Sequence, residues 1–497
     1  MYQNIFKNYR LSIHKKNFRI HIFFIFFLIL VNFIASYLTP YSQLFDSASF
    51  KLQLIYPTYG LKPYKDFVFI YPFGPSLISI FITKLNQSFI KPINLVWIIH
   101  LLLQLILLRK IISRNIITIN KVSVLYLFLI LETFIYSKFG GEPYSHLLLF
   151  ITLIEFFKAY ENKKLISSTF IYPTLLALFK WDRLLFCACV FGLFFILCKF
   201  KKIHISLFIL LKIILLCIAS FIFLLICLYI FNTDNFFNTI RYIFIDPFII
   251  MKYRNLPFTL DENVFSIYNF YYLLILIYIS LFCYLMIARI TIKQLYFFCA
   301  GLSLIPPTFG RTDVGHFIPF YLSSFFLIVS LPPFFNNFLT KYFKMILSIT
   351  KFISIFLIVF FIVMELRIPL LENTCGMFKN EVNPKSIFVG NSQYDNFFVN
   401  FPLLYLSFSD LKPATKYIND EPGLQNTCQI QDEILNDFNL APRPVIFFLN
   451  KNLLIDKNNK NTYVNCGKLE EYFAKNTKIL GYCSLSKNTI EVRVLDK

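Results

Sequence analysis

The chain has 497 residues, of which 57% are hydrophobic, 19% aromatic and only 15% charged. Over its first three quarters this excludes a soluble globular protein and makes a bilayer the natural solvent. The formal net charge of +21 suits nucleic acid in principle. The Lys and Arg residues, however, lie in short clusters between apolar runs and build no basic domain or stripe, which excludes nucleic acid as partner and points to membrane topology.

In chain order, Lys15, Lys16 and Arg19 precede an apolar run from Ile20 to Leu38. The run is long for a signal peptide and no small-residue cleavage site follows, so it reads as an uncleaved first span. The next polar stretch, LFDSASFKLQLIYPTYGLKPYKDFVFIYPFGPSLISIF, contains two apolar segments, Ser47 to Tyr56 and Gly74 to Leu85, which suit interfacial helices. Further spans are expected at 93–108, 122–137, 144–157, 165–180, 184–198, 203–231, 270–288, 295–309, 317–331 and 346–364, giving about eleven transmembrane helices.

Orientation follows from the short loops. Arg109, Lys110, Arg114 and Lys121, then Lys158, Lys163 and Lys164, then Lys199, Lys201 and Lys202, then Arg289 and Lys293, then Lys341 and Lys344 all fall on the N-terminal side, which is therefore expected to be cytoplasmic. Most acidic residues of the membrane region map to the opposite face, among them Asp46, Asp66, Glu142, Asp182, Asp234, Asp246 and Asp313. Acidic residues barely direct insertion, so a polar site on the outer face is the expected cause.

Several constellations lie on that face. Asp46, just past the first span, is suited either to general-base work on an incoming hydroxyl or to capping an interfacial helix. Tyr64 and Asp66 belong to a Gly/Pro-bounded turn. Glu142 and His146, four apart beyond Gly140-Gly141, suit a divalent metal or loop capping. The run Lys180-Trp-Asp-Arg183 sets Lys180, Asp182 and Arg183 at a span boundary, either as interfacial anchors or as a phosphate clamp. The turn Gly310-Arg-Thr-Asp-Val-Gly-His316 concentrates Arg311, Asp313 and His316 where a charge near membrane depth needs a partner or a task. The loop 232–269, with Arg241 and Asp246, reads as a cleft cap or as a solvated connection.

From about Leu371 the composition turns polar, which marks a separate domain over 371–497 following a membrane domain over 1–370. Strands are expected at Ser386 to Val389, Pro444 to Leu449 and Thr489 to Val494, and helices at Gln429 to Phe438 and Lys468 to Lys475. The fold class is thus an all-α polytopic membrane domain with a small C-terminal α/β domain. Cys375, Cys428, Cys466 and Cys483 allow two disulfides in any of three pairings, whereas the seven cysteines from Cys187 to Cys299 read as small packing groups.

Together, Phe45-Asp46-Ser47, Gly60-Leu-Lys-Pro-Tyr-Lys-Asp66 followed by Gly74-Pro75, Lys180 at a span end and Arg311-x-Asp313-x-x-His316 resemble motifs of the GT-C superfamily of membrane glycosyltransferases. The similarity is to bacterial relatives of protein O-mannosyltransferases and of the lipid A aminoarabinose transferase. In the tail, Val389-Gly-Asn391, Leu406, Pro422-Gly423, Gln431-x-Glu433 and Pro444-Val-Ile are similar to attached periplasmic domains. Where some relatives carry an acidic pair in the first loop, this chain has Asp46-Ser47.

The resemblance implies a bacterial inner-membrane enzyme that moves a sugar from a polyprenyl-phosphate donor to a hydroxyl on a lipid, glycan or protein acceptor. Asp46 is then the base, Lys180, Arg183 and Arg311 hold the donor phosphate, and Tyr64, Asp66, Glu142, Asp182, Asp313 and His316 orient substrate. No cofactor is required, and a divalent metal is compatible. The alternatives are a lipid or polysaccharide transporter, which needs charges within helices and a two-sided path, and a membrane-anchored binding protein whose tail does the work.

Overall fold

The computed structural model describes residues 52–68, 74–84, 143–204, 206–249, 291–303, 374–391, 402–418, 427–450, 466–485 and 488–496, with Gln425 and further helical positions between 99 and 110 and between 275 and 287. The spans expected at 20–38, 122–137, 317–331 and 346–364 lie outside the described residues. What is described is mostly helical, with one small sheet near the C-terminus.

The helical part comprises α1 (Gly74–Lys84), α2 (Pro143–Asn162), α3 (Ser167–Phe200), α4 (Leu207–Phe231), the short α5 (Phe236–Ile240) and α6 (Ile292–Ser303). Among the described residues, α4 and, counted over both of its halves, α3 are long and apolar enough to cross a membrane. Helix α3 is not one rod. Ser168 Oγ donates to Glu155 of α2 at 2.5 Å, yet Phe191 and Phe194 pack on Phe156 and Tyr160 of that same helix at centroid distances of 5.8 and 5.6 Å. A straight helix would hold positions 168 and 191 about 35 Å apart. The chain folds back at Lys180, the one residue of α3 with extended backbone (φ −163°, ψ 78°). The segments expected at 165–180 and 184–198 are therefore two packed helices joined at the charged tetrapeptide.

The bundle core is aromatic. Tyr296 of α6 is surrounded by the rings of Phe157, Phe191 and Phe194, and its hydroxyl donates to Leu153 O of α2 at 2.9 Å. One end of the bundle carries the basic turns, with Lys163 and Lys164 after α2 and Lys201 and Lys202 after α3. Near this end the buried Glu155 is neutralised by Lys110 Nζ at 2.5 Å and accepts a hydrogen bond from Ser168.

The C-terminal part contains α7 (Met377–Val382), β1 (Ser386–Asn391), α8 (Pro402–Ser407), β2 (Lys412–Pro413), α9 (Cys428–Leu440), β3 (Val445–Asn450), α10 (Lys468–Asn476), β4 (Lys478–Leu485) and β5 (Asn488–Leu495). The sheet order is β2-β1-β3-β5-β4. Strands β2, β1 and β3 are parallel, with Ser386 level with Val445, and β5 pairs antiparallel with both β3 and β4. Every residue of β3 is buried, as expected for a central strand covered on both faces. One face packs Phe388 and Phe447 on Phe438 of α9 and Phe473 of α10. The expected strands and helices of the tail are all present. Two disulfides close it, Cys375–Cys483 and Cys428–Cys466.

The other sheet face brings a correction. Leu52, Tyr56 and Phe67 share a core with Phe378, Ile387, Val389, Tyr405, Ile446 and Phe448. The apolar side of the first-loop segment is therefore turned onto the sheet instead of along a bilayer surface. The two environments place the same demand on an apolar side chain, so the sequence pattern is common to both.

Candidate functional site

Four stretches distant in sequence meet at the bundle end opposite the basic turns. The first is the loop 60–68. Asp66 accepts from the Lys62 N–H at 2.8 Å and pairs with Lys412 Nζ at 3.6 Å, so it caps its own turn and ties it to the C-terminal unit. Tyr64 is buried in left-handed backbone (φ 62°), a conformation uncommon outside glycine. It is held there by its N–H to Phe67 O at 2.7 Å, and its carbonyl accepts from Asn235 Nδ2 at 3.0 Å. Asn232 Nδ2 donates to Pro63 O at 3.0 Å, and the Val68 N–H donates to Lys416 O at 2.7 Å. The loop is thus clamped between the exit of α4 and residues 412–416.

The second is the Lys180–Arg183 turn. Gly74, opening α1, approaches it so closely that a Cβ there would stand 2.5 Å from Phe179 Cδ1 and 2.9 Å from Leu178 O. Only glycine fits this contact, which brings the Gly74-Pro75 motif to the Lys180 turn. Trp181 packs on Phe221 of α4 and on Phe244, with centroids 6.4 and 4.8 Å apart. Asp182 is half-buried. Arg183 is 8% exposed, its guanidinium lies 5.0 Å from the Phe186 ring, and among the described residues its Nε has no hydrogen-bond acceptor, the nearest described carboxylate being Asp182 Oδ2 at 3.9 Å. A buried guanidinium N–H without an acceptor costs about 1–3 kcal/mol.

The third and fourth stretches are residues 236–249 and the C-terminal unit, joined through Glu433. Arg241 Nη1 lies 3.3 Å and Lys416 Nζ 3.0 Å from this carboxylate, and Tyr417 Oη donates to it at 2.5 Å. Burial raises the pKa of Glu433, but those hydrogen bonds and the charges of Lys416 and Arg241 outweigh it and hold the carboxyl below its usual range. Asp246, 3.3 Å from Arg241 Nε, behaves oppositely. It is buried deeply enough that desolvation overcomes the attraction of Arg241 and raises its pKa. Tyr417 is pushed far up by burial and by the neighbouring Tyr242 and Glu433.

Of the residues singled out from sequence, Tyr64, Asp66, Lys180, Asp182 and Arg183 are gathered at this end. Tyr64 and Asp66 are engaged in holding the loop. Asp46, Glu142, Arg311, Asp313 and His316 lie outside the described residues. Glu433 was visible only as part of the Gln431-x-Glu433 motif. Its companion Gln431 caps α10, accepting from the N–H groups of Lys468 and Leu469 at 2.9 and 3.3 Å. No carboxylate, imidazole or thiol cluster suited to a metal occurs among the described residues.

No protein-family model, curated protein or solved structure matches the chain.

Proposed function

We propose that the chain is an integral membrane glycosyltransferase of the GT-C type, with about eleven spans. It transfers a sugar from a polyprenyl-phosphate donor to an acceptor hydroxyl at the membrane face bearing the C-terminal unit. The carrying observation is Arg183, a buried guanidinium with an unsatisfied Nε, at a turn that also presents Lys180. A buried donor of this kind calls for an anionic acceptor, and a lipid phosphate entering from the bilayer supplies one without crossing water. The two disulfides of the tail support an oxidising, extracytoplasmic compartment, where a lipid-linked donor replaces a nucleotide sugar. A bacterial inner membrane with a cytoplasmic N-terminus fits both points.

In this reading Asp46 takes the proton of the acceptor hydroxyl and the oxygen attacks the anomeric carbon. The bond from that carbon to the phosphate oxygen breaks, and polyprenyl phosphate leaves with the electron pair. Lys180, Arg183 and Arg311 stabilise the departing phosphate, Asp313 orients Arg311, and His316 touches phosphate or sugar. A divalent metal is compatible with the pair Glu142 and His146, and no step depends on it.

The test is mass spectrometry of lipid-linked sugars and envelope glycans in cells with the wild-type chain, without it, and with Arg183→Ala or Asp46→Asn. The expected result is accumulation of one lipid-linked sugar and loss of one glycan modification in the deletion and in both variants. An unchanged pool in the deletion strain refutes the proposal. An unchanged pool in Arg183→Ala alone removes that residue from the donor site.

A further inference from the structure

Residues 236–249 run as one helical stretch of unusual build. After α5, residues Arg241–Ile245 form a π-turn in which the Asp246 N–H reaches back five residues to Arg241 O. Pro247, next in line, has no N–H to give and its ring crowds the carbonyl four residues earlier, which accounts for the widened turn. The stretch is two-faced. Thr239, Tyr242, Ile243 and Asp246 are buried, while Phe237, Ile245, Phe248 and Ile249 are 85, 52, 62 and 37% exposed. On a helical wheel the exposed four occupy roughly a third of the circumference, a third that also holds the exposed Asn238 and the partly exposed Arg241, and the buried four lie on the opposite side.

The ionic contacts of Arg241 turn inward from the edge of this face. Arg241 bridges Asp246 and Glu433, and Tyr242 lies against Tyr417 at 6.2 Å. Arg241 thus ties the stretch to the C-terminal unit while Asp246 pairs back onto Arg241, leaving an outer face of two Phe, two Ile and the exposed Asn238.

We propose that this outer face lies on the bilayer surface, so that residues 236–249 seat the C-terminal unit at headgroup depth beside the Lys180–Arg183 turn. The occupant is lipid because the face continues the apolar belt of α4. That helix exposes Leu215, Ile218, Ile222, Ile226 and Ile230 along one side, and Tyr229 near its end meets Phe236 edge-on at 5.4 Å. A helix that begins beside the exit of a span, is apolar outward and ionic inward, has the amphipathic form that lies in the interfacial plane. The inference rests on α4 crossing the membrane, as the proposed function requires.

The test uses the full chain in phospholipid nanodiscs, with a nitroxide attached through an encoded azidophenylalanine at position 237, 248 or, as reference, 226 on α4. Collision with oxygen, which partitions into lipid, is compared with collision with a water-soluble nickel chelate. Labels at 237 and 248 are expected to resemble the label at 226, with oxygen access several-fold greater than nickel access. Free nickel access at 237 and 248 with a lipid signature at 226 overturns the seat while leaving the membrane reading intact. Low access to both reagents means that protein covers the face and also overturns it. Nickel access at 226 removes the membrane reading and the inference with it.

Discussion

Replacing Cys375 and Cys483 together by Ala tests both the architecture and the compartment of the C-terminal unit. Their bond links the short turn before α7 to the edge strand β4, across a sequence separation of 108 residues. The inner bond Cys428–Cys466 spans 38 residues and shortens the chain that the outer bond must close to about 70 residues. Loop-closure entropy for that length gives about 4.4 kcal/mol, comparable with the whole stability of a small domain. With a urea m-value of about 2 kcal/mol/M, the unfolding midpoint of the unit should fall by about 2 M. The assay is protease sensitivity of the tail across a urea series, on the full chain in membranes. An unchanged midpoint would refute this account of how the unit is held. Finding the wild-type cysteines reduced in cells would refute an oxidising compartment.

Gly74→Ala should destabilise the detergent-solubilised chain by about 1–3 kcal/mol, because the new methyl meets the backbone oxygen of Leu178 as well as the Phe179 ring; an unaltered thermal midpoint would contradict the close approach. Glu433 and Asp246 should respond to pH with opposite signs. The folded-state pKa of Glu433 is lowered, so its contribution is present above the unfolded carboxylate range and lost as pH falls through the folded value, and Glu433→Gln should weaken stability at neutral pH. That of Asp246 is raised, so stability is gained as pH falls through its folded value, and Asp246→Asn should be tolerated or stabilising at neutral pH; denaturation curves at several pH values would reveal equal signs if the assignment were wrong. A double-mutant cycle on Arg241 and Glu433, both partly exposed, should return a coupling of about 1 kcal/mol or less, and zero coupling would remove this link between residues 236–249 and the tail.

Local pattern carried the tail well. The apolar runs at Ser386 and Val445 become β1 and β3 because a central strand buried on both faces must be apolar throughout. The amphipathic spacing in Cys428–Leu440 and Lys468–Asn476 becomes α9 and α10. Strand β4 lacks that signal, since Ile479, Leu480 and Tyr482 at the sheet edge are exposed. Disulfide pairing was open because four cysteines allow three arrangements. The burial of Leu52 and Tyr56 against the sheet was hidden because bilayer and protein core select the same side chains. The ion pair between Arg241 and Glu433 joins residues 192 apart, a separation at which no local periodicity operates. Within the candidate site, the Lys180 turn was legible as a charged break between apolar runs. The fit of Gly74 against it depends on a backbone approach that composition cannot express.

Two buried charges in one bundle make the case for where chemistry is to be sought. Glu155, beside the basic turns, is fully buried and has a cation on one oxygen and a hydroxyl on the other. Its desolvation cost is offset within the protein, and no ligand is needed to account for it. Arg183, at the other end, is nearly as buried, yet its Nε lacks an acceptor among the described residues. Asp182, next in sequence, is half-buried and remains 3.9 Å away. The same folding forces act on both groups, so a purely structural arginine in that position should have acquired a partner as complete as that of Glu155. The difference fits Glu155 as scaffold and, under the proposed function, Arg183 as the residue that takes an anion. Under the proposed function, the converging loop 60–68, residues 236–249 and the C-terminal unit mark that end of the bundle as the place for a lipid phosphate and an acceptor hydroxyl to meet.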